Sequence, residues 1–258
     1  MKLGALSQRL LRASFNLAHS VTGALGIFLV GGLLVALAGT GAFVALADEV
    51  HEGDTQGFDE AVIRWMEARH SPTLDAIMIE ITALGTGTVV LMIVVIAGLF
   101  LTLSDRKYSA ILLIVATSGG ILLNGVLKLG FNRPRPSIFE PAVHAVSSSF
   151  PSGHAMSSAI VYGTVAYLAA RLHRRRWARW LVMTFALVII VLISFSRMYF
   201  GVHYPSDVVA GVLIGLAWAA FCMAALEAIQ RFRPRRGSRT EEEVEALPPH
   251  ADEPARSR

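Results

Sequence analysis

Three short polar segments interrupt a largely apolar chain, and they carry side chains suited to binding and transferring an anionic group. The candidate residues are Lys128 and Arg135, then Ser152, Gly153 and His154, then Arg197, His203 and Asp207. Charged residues next to membrane-spanning stretches are energetically costly and are therefore usually functional. Because most of these charges have one sign, they predict an anionic substrate.

The first segment combines a lysine with arginines in a stretch that cannot continue a helix. Lys128 precedes Asn132-Arg133-Pro134-Arg135-Pro136, where the prolines stop a helix and stiffen the loop. The planar guanidinium of arginine matches two phosphate oxygens at once, while lysine adds a mobile point charge. The segment therefore predicts an anion-binding loop.

The second segment, Pro151-Ser152-Gly153-His154, directly precedes an apolar stretch. Its last three residues are expected to begin a helix, and the unpaired backbone N–H groups of a helix start bind anions. Ser152 is expected to cap the helix or to donate its hydroxyl, and Gly153 lets a ligand approach the backbone closely. His154 then stands where it can transfer a proton to the bound anion.

The third segment places an arginine near a histidine and a carboxylate. His203 and Asp207 are four residues apart, so they share one face if the segment is helical. Pro205 fits the first turn of a helix, which places the pair across the helix start. A carboxylate bonded to one imidazole nitrogen fixes the tautomer and leaves the other nitrogen as a nucleophile. Arg197 supplies a further guanidinium.

Each of these residues has an ordinary explanation when it is considered alone. Lys128, Arg133 and Arg135 are common residue types at a membrane edge. His154 alone would more often be a hydrogen-bonded polar residue, and Asp207 alone would cap a helix. The combination of residue types and spacings favours one functional site.

The rest of the sequence predicts an all-α membrane protein. Of its 258 residues, 54% are hydrophobic and 16% are charged, and the mean hydropathy is +0.55. This composition excludes an ordinary water-soluble domain. A spanning helix needs about 20 mostly apolar residues, and six segments approach that length: 21–47, 84–103, 108–129, 155–171, 181–199 and 207–229. They predict a bundle of six transmembrane helices.

Basic residues cluster at the ends of these segments, so the net charge of +4 indicates membrane topology rather than nucleic-acid binding. Lys and Arg are enriched in cytoplasmic loops. The basic clusters lie in alternate connections, at residues 2–12, 106–107, 171–179 and 231–239. We therefore expect a multi-pass protein of the inner (plasma) membrane with both termini in the cytoplasm. All three polar segments then lie on the outer face.

The predicted boundaries divide the chain into four parts. These are a cytoplasmic N-terminus at 1–20, a first helix and outer loop at 21–83, a membrane core at 84–229 and a disordered cytoplasmic tail at 230–258. The first helix ends in Ala45-Leu46-Ala47, which imitates a signal-peptide cleavage site. Its apolar stretch is much longer than the roughly 7–15 residues of a signal peptide, so we expect it to remain uncleaved.

Within the acidic outer loop at 48–83, apolar residues recur at helical spacing at Phe58, Val62, Trp65 and Met66. This spacing predicts a short amphipathic helix on the membrane surface, with the indole at the interface. Two other residues have simpler interpretations. The single cysteine, Cys222, is a packing residue, and His144 is a loop residue without a motif around it.

Together the three polar segments resemble the signature of the type 2 phosphatidic acid phosphatase family, part of a superfamily with bacterial acid phosphatases and vanadium haloperoxidases. The pattern K-x6-RP, PSGH and SR-x5-H-x3-D is matched at every defined position between residues 128 and 207. Arg133-Pro134 offers a competing spacing from Lys128. The choice of Arg135 therefore rests on the family pattern, and Arg133 is interpreted as an auxiliary cation.

The resemblance implies a metal-independent phosphoryl transfer in two steps, without a cofactor. His203 would form a phosphohistidine and Asp207 would orient it, while His154 would protonate the leaving oxygen and later activate water. The residues that would hold the phosphoryl oxygens are Lys128, Arg135, Ser152, Gly153 and Arg197. Cations and a helix start can stabilise this charge in the role that Mg²⁺ fills elsewhere. The sequence has no acidic cluster at metal-ligand spacing beside the three segments.

The first hypothesis is therefore a membrane lipid phosphatase that hydrolyses a lipid phosphomonoester or diphosphate at the outer face. Bacterial relatives suggest phosphatidylglycerophosphate, phosphatidate or undecaprenyl diphosphate. A phosphotransferase that uses an acceptor other than water is a second hypothesis. A non-enzymatic carrier or channel for an anionic lipid is a third, although it would not need the pair His203 and Asp207. A vanadate-dependent oxidase is least favoured because such relatives are typically soluble.

Overall fold

The computed structural model describes residues 29–137 and 147–232, and all regular secondary structure in these ranges is α-helical. The helices are α1 Leu29–Glu52, α2 Gln56–Glu67, α3 Pro72–Ala83, α4 Gly87–Leu103, α5 Lys107–Phe131, α6 Gly153–Leu172, α7 Arg176–Tyr199 and α8 Pro205–Phe232. The predicted N-terminus at 1–20 and His144 lie outside the described residues. The predicted tail begins inside α8, and its residues from 233 onward also lie outside.

Five helices are each long and apolar enough to cross a membrane, namely α1, α5, α6, α7 and α8. Helices α3 and α4 meet this criterion only as a pair, and they are bent by 45° at their short connection. The chain therefore has five candidate spans, or six if the bent pair is one span. On α4, Leu99, Phe100 and Leu103 are 59%, 57% and 77% exposed. Such a large exposed apolar surface fits a lipid solvent, so the chain is a multi-pass membrane protein.

The region predicted as an outer loop at 48–83 contains more helix than expected. Helix α1 continues to Glu52, and the predicted amphipathic segment is α2. A second short helix, α3, begins where the Ser71 hydroxyl accepts from the Leu74 N–H and Pro72 occupies the first turn. This is a standard helix start. The sequence predicts one short helix in this acidic segment, and the cap and the proline produce a second.

Helices α6 and α8 form the centre of the bundle, and glycines on α8 allow their close approach. A methyl group added to Gly211 would lie 2.6 Å from the Ser152 carbonyl oxygen. One added to Gly215 would lie 2.7 Å from the Met156 carbonyl oxygen. Any larger residue would separate the helices. The start of α6 therefore lies directly against the first turns of α8, and the second polar segment meets the third there.

Candidate active site

The predicted site residues lie at one end of the bundle, although they come from four helices and two connections. Lys128 is in the last turn of α5, and Gly153 and His154 begin α6. Arg197 is in the last turn of α7 and Asp207 in the first turn of α8. The hydrogen bond from the Ser152 N–H to the Asp207 carbonyl, 2.9 Å long, joins the starts of α6 and α8.

His203 and Asp207 form a buried pair. The Nδ1 atom of His203 lies 3.7 Å from Oδ2 of Asp207, and the side chains are 3% and 0% exposed. The Ser149 hydroxyl lies beside both, at 3.4 Å from Nδ1 and 2.5 Å from Oδ2. The Tyr204 N–H also donates to Oδ2, at 2.8 Å. With Nδ1 on the carboxylate side, the other ring nitrogen, Nε2, is left for a second partner.

That second partner is Arg135. Its Nη1 lies 3.4 Å from Nε2 of His203 and donates to the Val202 carbonyl at 2.8 Å. Burial lowers the pKa of His203 to about 4, against the opposing hydrogen bond and charge of Asp207, and the nearby guanidiniums of Arg135 and Arg197 lower it further. The imidazole is therefore neutral at ordinary pH, which is the form a nucleophile requires.

Three predicted cations have neutral hydrogen-bond partners. Lys128 donates from Nζ to the Ser148 carbonyl at 3.0 Å, and Arg135 donates from Nε to the Ser147 carbonyl at 3.0 Å. Arg197, only 8% exposed, donates from Nη1 to the Thr82 hydroxyl at 2.8 Å, while its buried Nε has no partner among the described residues. Within this part of the chain, none of the three forms a salt bridge. Their charge is therefore available to an anion.

Arg133 is placed differently from the auxiliary cation that the sequence suggests. Its Nη1 donates to Oδ1 of Asp207 at 2.6 Å, and its Nη2 donates to Oδ2 of Asp59 at 2.8 Å. Burial alone would lower the pKa of Arg133, but the two carboxylates together raise it above its ordinary value. The charge of this guanidinium is thus offset within the protein. Arg135, in contrast, lies beside Nε2 of His203.

The start of α6 presents polar groups without capping the helix in the usual way. Ser152 is the N-cap residue, but its side chain makes no capping hydrogen bond. Its hydroxyl is buried and has no partner among the described residues. A methyl group added to Gly153 would lie 3.3 Å from Nδ2 of Asn124. Gly153 thus also lies close to a side chain of α5, and the Ser152 hydroxyl is free to bond a ligand.

His154 lines an apolar cavity of about 240 Å³ between α4, α5 and α6. The cavity wall consists mainly of small and aliphatic residues, including Val90, Leu91, Gly120, Ile121 and Ile160. Asn124 also lines it, and its Oδ1 is buried without a hydrogen-bond partner in the described chain. The His154 side chain thus stands between an apolar space and the cluster of cations.

Neighbours of the predicted site residues that carry no motif include Ser149, Thr82 and Asp59. The Ser149 hydroxyl donates to Asp207, and the Asp59 carboxylate accepts from Arg133. The Thr82 hydroxyl accepts from Arg197. Serine and threonine are common in loops and helices, so their sequence positions give no signal. In residues 29–137 and 147–232, no group of three or more His, Cys, Asp or Glu side chains could hold a metal ion.

A cluster of cations around a buried His–Asp pair in a helical membrane protein is suited to phosphoryl transfer, and comparison with known proteins identifies the family. The PAP2 superfamily pattern matches residues 107–231. Phosphatidylglycerophosphatase B of Bacillus subtilis is 36% identical over 194 residues, which cover 75% of this chain and 95% of that protein. Undecaprenyl-diphosphatase BcrC of the same species is 30% identical over 155 residues, covering 58% and 73%.

A solved structure agrees with these sequence matches. The crystal structure of the transmembrane PAP2-type phosphatidylglycerolphosphate phosphatase from Bacillus subtilis superimposes with a TM-score of 0.71 at 34% identity. The match covers 77% of this chain and 98% of that one. The chain therefore belongs to the PAP2 superfamily and is a phosphatase. Its matched relatives are lipid phosphatases.

Proposed function

We propose that the protein hydrolyses a lipid phosphomonoester or diphosphate at the outer face of the inner (plasma) membrane through a phosphohistidine on His203. The observation that carries this proposal is the division of the His203 ring between two partners. Nδ1 faces the Asp207 carboxylate, and Nε2 faces Arg135. A phosphoryl group bound by the guanidinium would lie next to the nucleophilic nitrogen.

In the first step, the lone pair of Nε2 forms the N–P bond while the P–O bond to the lipid breaks. His154 gives its proton to the leaving oxygen, and Asp207 stabilises the positive charge that develops on His203. In the second step, water attacks phosphorus, the N–P bond breaks and His154 takes the water proton. The first step needs neutral His203 and the second regenerates it, while both need a cationic environment for the phosphoryl oxygens.

The phosphoryl oxygens would bind the cations that have no carboxylate partner, Lys128, Arg135 and Arg197. The Ser152 hydroxyl and the Gly153 N–H at the start of α6 complete this set, because the hydroxyl is buried without a partner and a helix start favours anions. Positive groups fixed before the substrate arrives can stabilise the transition state without reorganisation. We propose that they act in this way without a metal ion.

The cavity beside His154 supports a lipid as the substrate. It extends from His154, the proposed proton donor, along apolar side chains of α4, α5 and α6. A hydrocarbon group would be buried there favourably, whereas a soluble sugar or nucleotide phosphate would leave polar groups unpaired. The relatives act on phosphatidylglycerophosphate and undecaprenyl diphosphate, as their names state. These two lipids and phosphatidate are the substrates we propose to test first.

The proposed topology places both termini in the cytoplasm and the site outside, following the distribution of basic residues. It counts α3 and α4 as one span. Helix α2 would then lie at the outer surface with Phe58 and Trp65, which are 68% and 50% exposed, in the membrane interface. A reporter enzyme fused after Arg258 should be active only in the cytoplasm. Activity outside the cell would contradict this topology.

The activity is tested with the purified full-length protein in detergent and EDTA. We expect phosphate release from at least one of the three lipid phosphates, inhibition by orthovanadate, and loss of turnover in His203→Ala. A matched control is His173→Ala, because His173 is exposed at the opposite end of α6. Full turnover in His203→Ala would contradict the mechanism. Phosphoryl transfer to an added alcohol without hydrolysis would favour the phosphotransferase, and lipid transport without turnover would favour the carrier.

A further inference from the structure

We infer that Asp59 on α2 and Arg133 are positioning residues that hold the Asp207 carboxylate against His203. This inference rests on the proposed function and deepens it. Asp59 lies outside residues 107–231, the part of the chain that matches the superfamily pattern. The short helix α2 would then contribute to catalysis through a buried chain of charges, although none of its residues contacts the phosphoryl group.

The two oxygens of Asp207 have separate partners. Oδ2 faces His203 and accepts from the Ser149 hydroxyl and the Tyr204 N–H. Oδ1 accepts from Nη1 of Arg133 at 2.6 Å. A carboxylate that is bonded at both oxygens cannot rotate about its terminal bond, so Oδ2 is held toward the imidazole. Arg133 is the charged part of this restraint.

Arg133 is itself held by several protein groups. Each terminal nitrogen makes two hydrogen bonds, Nη1 to Asp207 and the Ser206 hydroxyl, Nη2 to Asp59 and Gln56. The guanidinium carbon also lies 4.4 Å from the centre of the Tyr204 ring. Its terminal nitrogens are therefore bonded to protein groups, and the role of Arg133 is orientation rather than phosphate binding.

Asp59 completes the chain of charges. Its side chain is 0% exposed, and it accepts from the Ser206 N–H at 3.0 Å, the Ser206 hydroxyl at 2.5 Å and Nη2 of Arg133 at 2.8 Å. A buried carboxylate with three partners is restrained in position. Ser206 directly precedes Asp207 in the chain, so Asp59 anchors both the first turn of α8 and the guanidinium that bonds Asp207.

The charges explain why a second carboxylate is useful. Arg133 next to Asp207 would weaken the negative field that His203 experiences as it becomes positive during phosphoryl transfer. Asp59 offsets the charge of Arg133, so Asp207 retains its effect on His203 while the guanidinium still fixes its geometry. Arg133 thus orients the Asp207 carboxylate, and Asp59 prevents Arg133 from cancelling the negative charge of Asp207.

The test compares Asp59→Asn with Glu67→Gln, a matched change at an exposed carboxylate of the same helix. We expect Asp59→Asn to lower kcat about 10- to 100-fold. Because neither Asp59 nor Arg133 belongs to the proposed phosphate-binding set, KM and the inhibition constant of orthovanadate should change less than about 3-fold. Glu67→Gln should equal the wild type in all three constants.

A double-mutant cycle tests whether Asp59 acts through Arg133. In the Arg133→Gln background, adding Asp59→Asn should cause little further loss of kcat, because the guanidinium that Asp59 positions is already absent. Independent, multiplicative losses would contradict the inference. Asp59→Glu, which keeps the charge on a longer side chain, should recover part of the kcat lost in Asp59→Asn.

The outcomes separate this inference from the proposed function. If orthovanadate inhibition is lost together with kcat in Asp59→Asn, Asp59 only fastens α2 and the inference is wrong. It is also wrong if kcat stays at the wild-type value while His203→Ala is inactive, and the proposed function then stands. An inactive wild type, or a fully active His203→Ala, removes the proposed function and with it the role of Asp59.

Discussion

Charge is buried at both ends of the helix bundle, but it is arranged in two different ways. At the end opposite the site, the Arg171 guanidinium forms a salt bridge with Glu227, whose side chain is 3% exposed, and the Tyr167 hydroxyl donates to the same carboxylate at 2.6 Å. At the site end, all the hydrogen-bond partners of Lys128 and Arg197 in the described part of the chain are neutral groups. The first arrangement is internally neutral, and the second has an excess of positive charge.

The adjoining cavities differ in the same sense. The cavity at the opposite end, about 280 Å³, is lined by charged and polar side chains that include Asp105, Arg106 and Ser109. The cavity beside His154 is lined mainly by aliphatic side chains. A buried pair of opposite charges needs no further partner, whereas unneutralised charge of one sign beside an apolar space is suited to an anionic amphiphile. Buried charge by itself therefore does not identify a functional site, but buried charge without a partner of opposite sign does.

The largest effect is expected where orientation of the nucleophile is lost. Asp207→Asn keeps the size of the side chain but presents an amide, which favours the wrong tautomer of His203. We expect kcat to fall by about 10⁴-fold. The measurement is steady-state turnover together with acid-quench trapping of the phosphohistidine. A kcat within 10-fold of the wild type would show that the carboxylate at this end is structural, like Glu227 at the other.

The next largest effect is expected when one uncompensated cation is removed. Arg135→Gln should lower kcat/KM by about 10²- to 10³-fold and weaken orthovanadate inhibition. The same change removes a positive charge that faces His203 beside Arg197 and Asp207, so the pKa of His203 should rise from about 4. Protonated His203 is not a nucleophile, and the acid limb of kcat/KM should therefore move to higher pH.

The matched control for this cation is Arg106→Gln at the opposite end of the bundle. Arg106 is exposed and lines the polar cavity there. We expect its kcat/KM and acid limb to equal those of the wild type. An acid limb that moves to lower pH in Arg135→Gln would contradict the electrostatic explanation, because loss of a nearby cation can only favour the protonated imidazole.

The predicted site residues are recognisable in the sequence because each of the three segments is a short local pattern. His203 and Asp207 are one helical turn apart, and Ser152, Gly153 and His154 are consecutive at a helix start. Their partners come from distant parts of the chain. Asp59 is separated from its partner Ser206 by 147 residues. No local pattern encodes such a contact, because it depends on how α2 packs against α8.

A weak signal for Asp59 does exist in the periodicity of α2. The apolar residues Phe58, Val62, Trp65 and Met66 predict one face, but the buried residues are Asp59, Ile63 and Met66. The face that packs on the protein is rotated by one residue from the face that includes Phe58 and Trp65, which are exposed. A helix between lipid and protein has two apolar faces. Asp59 shares helical spacing with Ile63 and Met66 on the protein-facing side, and a carboxylate there indicates a buried partner.

The fold was predictable where apolar length alone decides it, and less so where a helix bends. The segments of α5 to α8 agree with the predicted spans within a few residues. The bend between α3 and α4 depends on packing near Gly85, where an added methyl group would lie 2.6 Å from Cγ2 of Ile193 and 3.1 Å from Cδ2 of His154. Hydropathy does not report such close approaches.

A smaller effect is expected when the cavity beside His154 is filled. Ile121→Trp should fill part of the cavity beside His154 and lower kcat/KM for a long-chain lipid phosphate by about 10-fold. A water-soluble aryl phosphate, which does not need the cavity, should be hydrolysed within about 2-fold of the wild-type rate. Leu122→Trp is the matched control, since Leu122 is adjacent, 70% exposed and outside the cavity wall. Equal losses for both substrates would contradict a lipid-binding role.

The smallest effect on activity is expected at the neutral end of the bundle. Glu227→Gln removes the charge that pairs with Arg171 but keeps the shape and an oxygen that can accept from Tyr167. Arg171 is 37% exposed, so its guanidinium can turn toward water or lipid head groups, and the free energy of unfolding should fall by only about 1–2 kcal/mol. Thermal unfolding in detergent measures this loss, while kcat should stay within about 2-fold of the wild type. A kcat reduced more than 10-fold would show that the two ends are coupled through α6 and α8, because these helices carry both Arg171 and Glu227 at one end and His154 and Asp207 at the other.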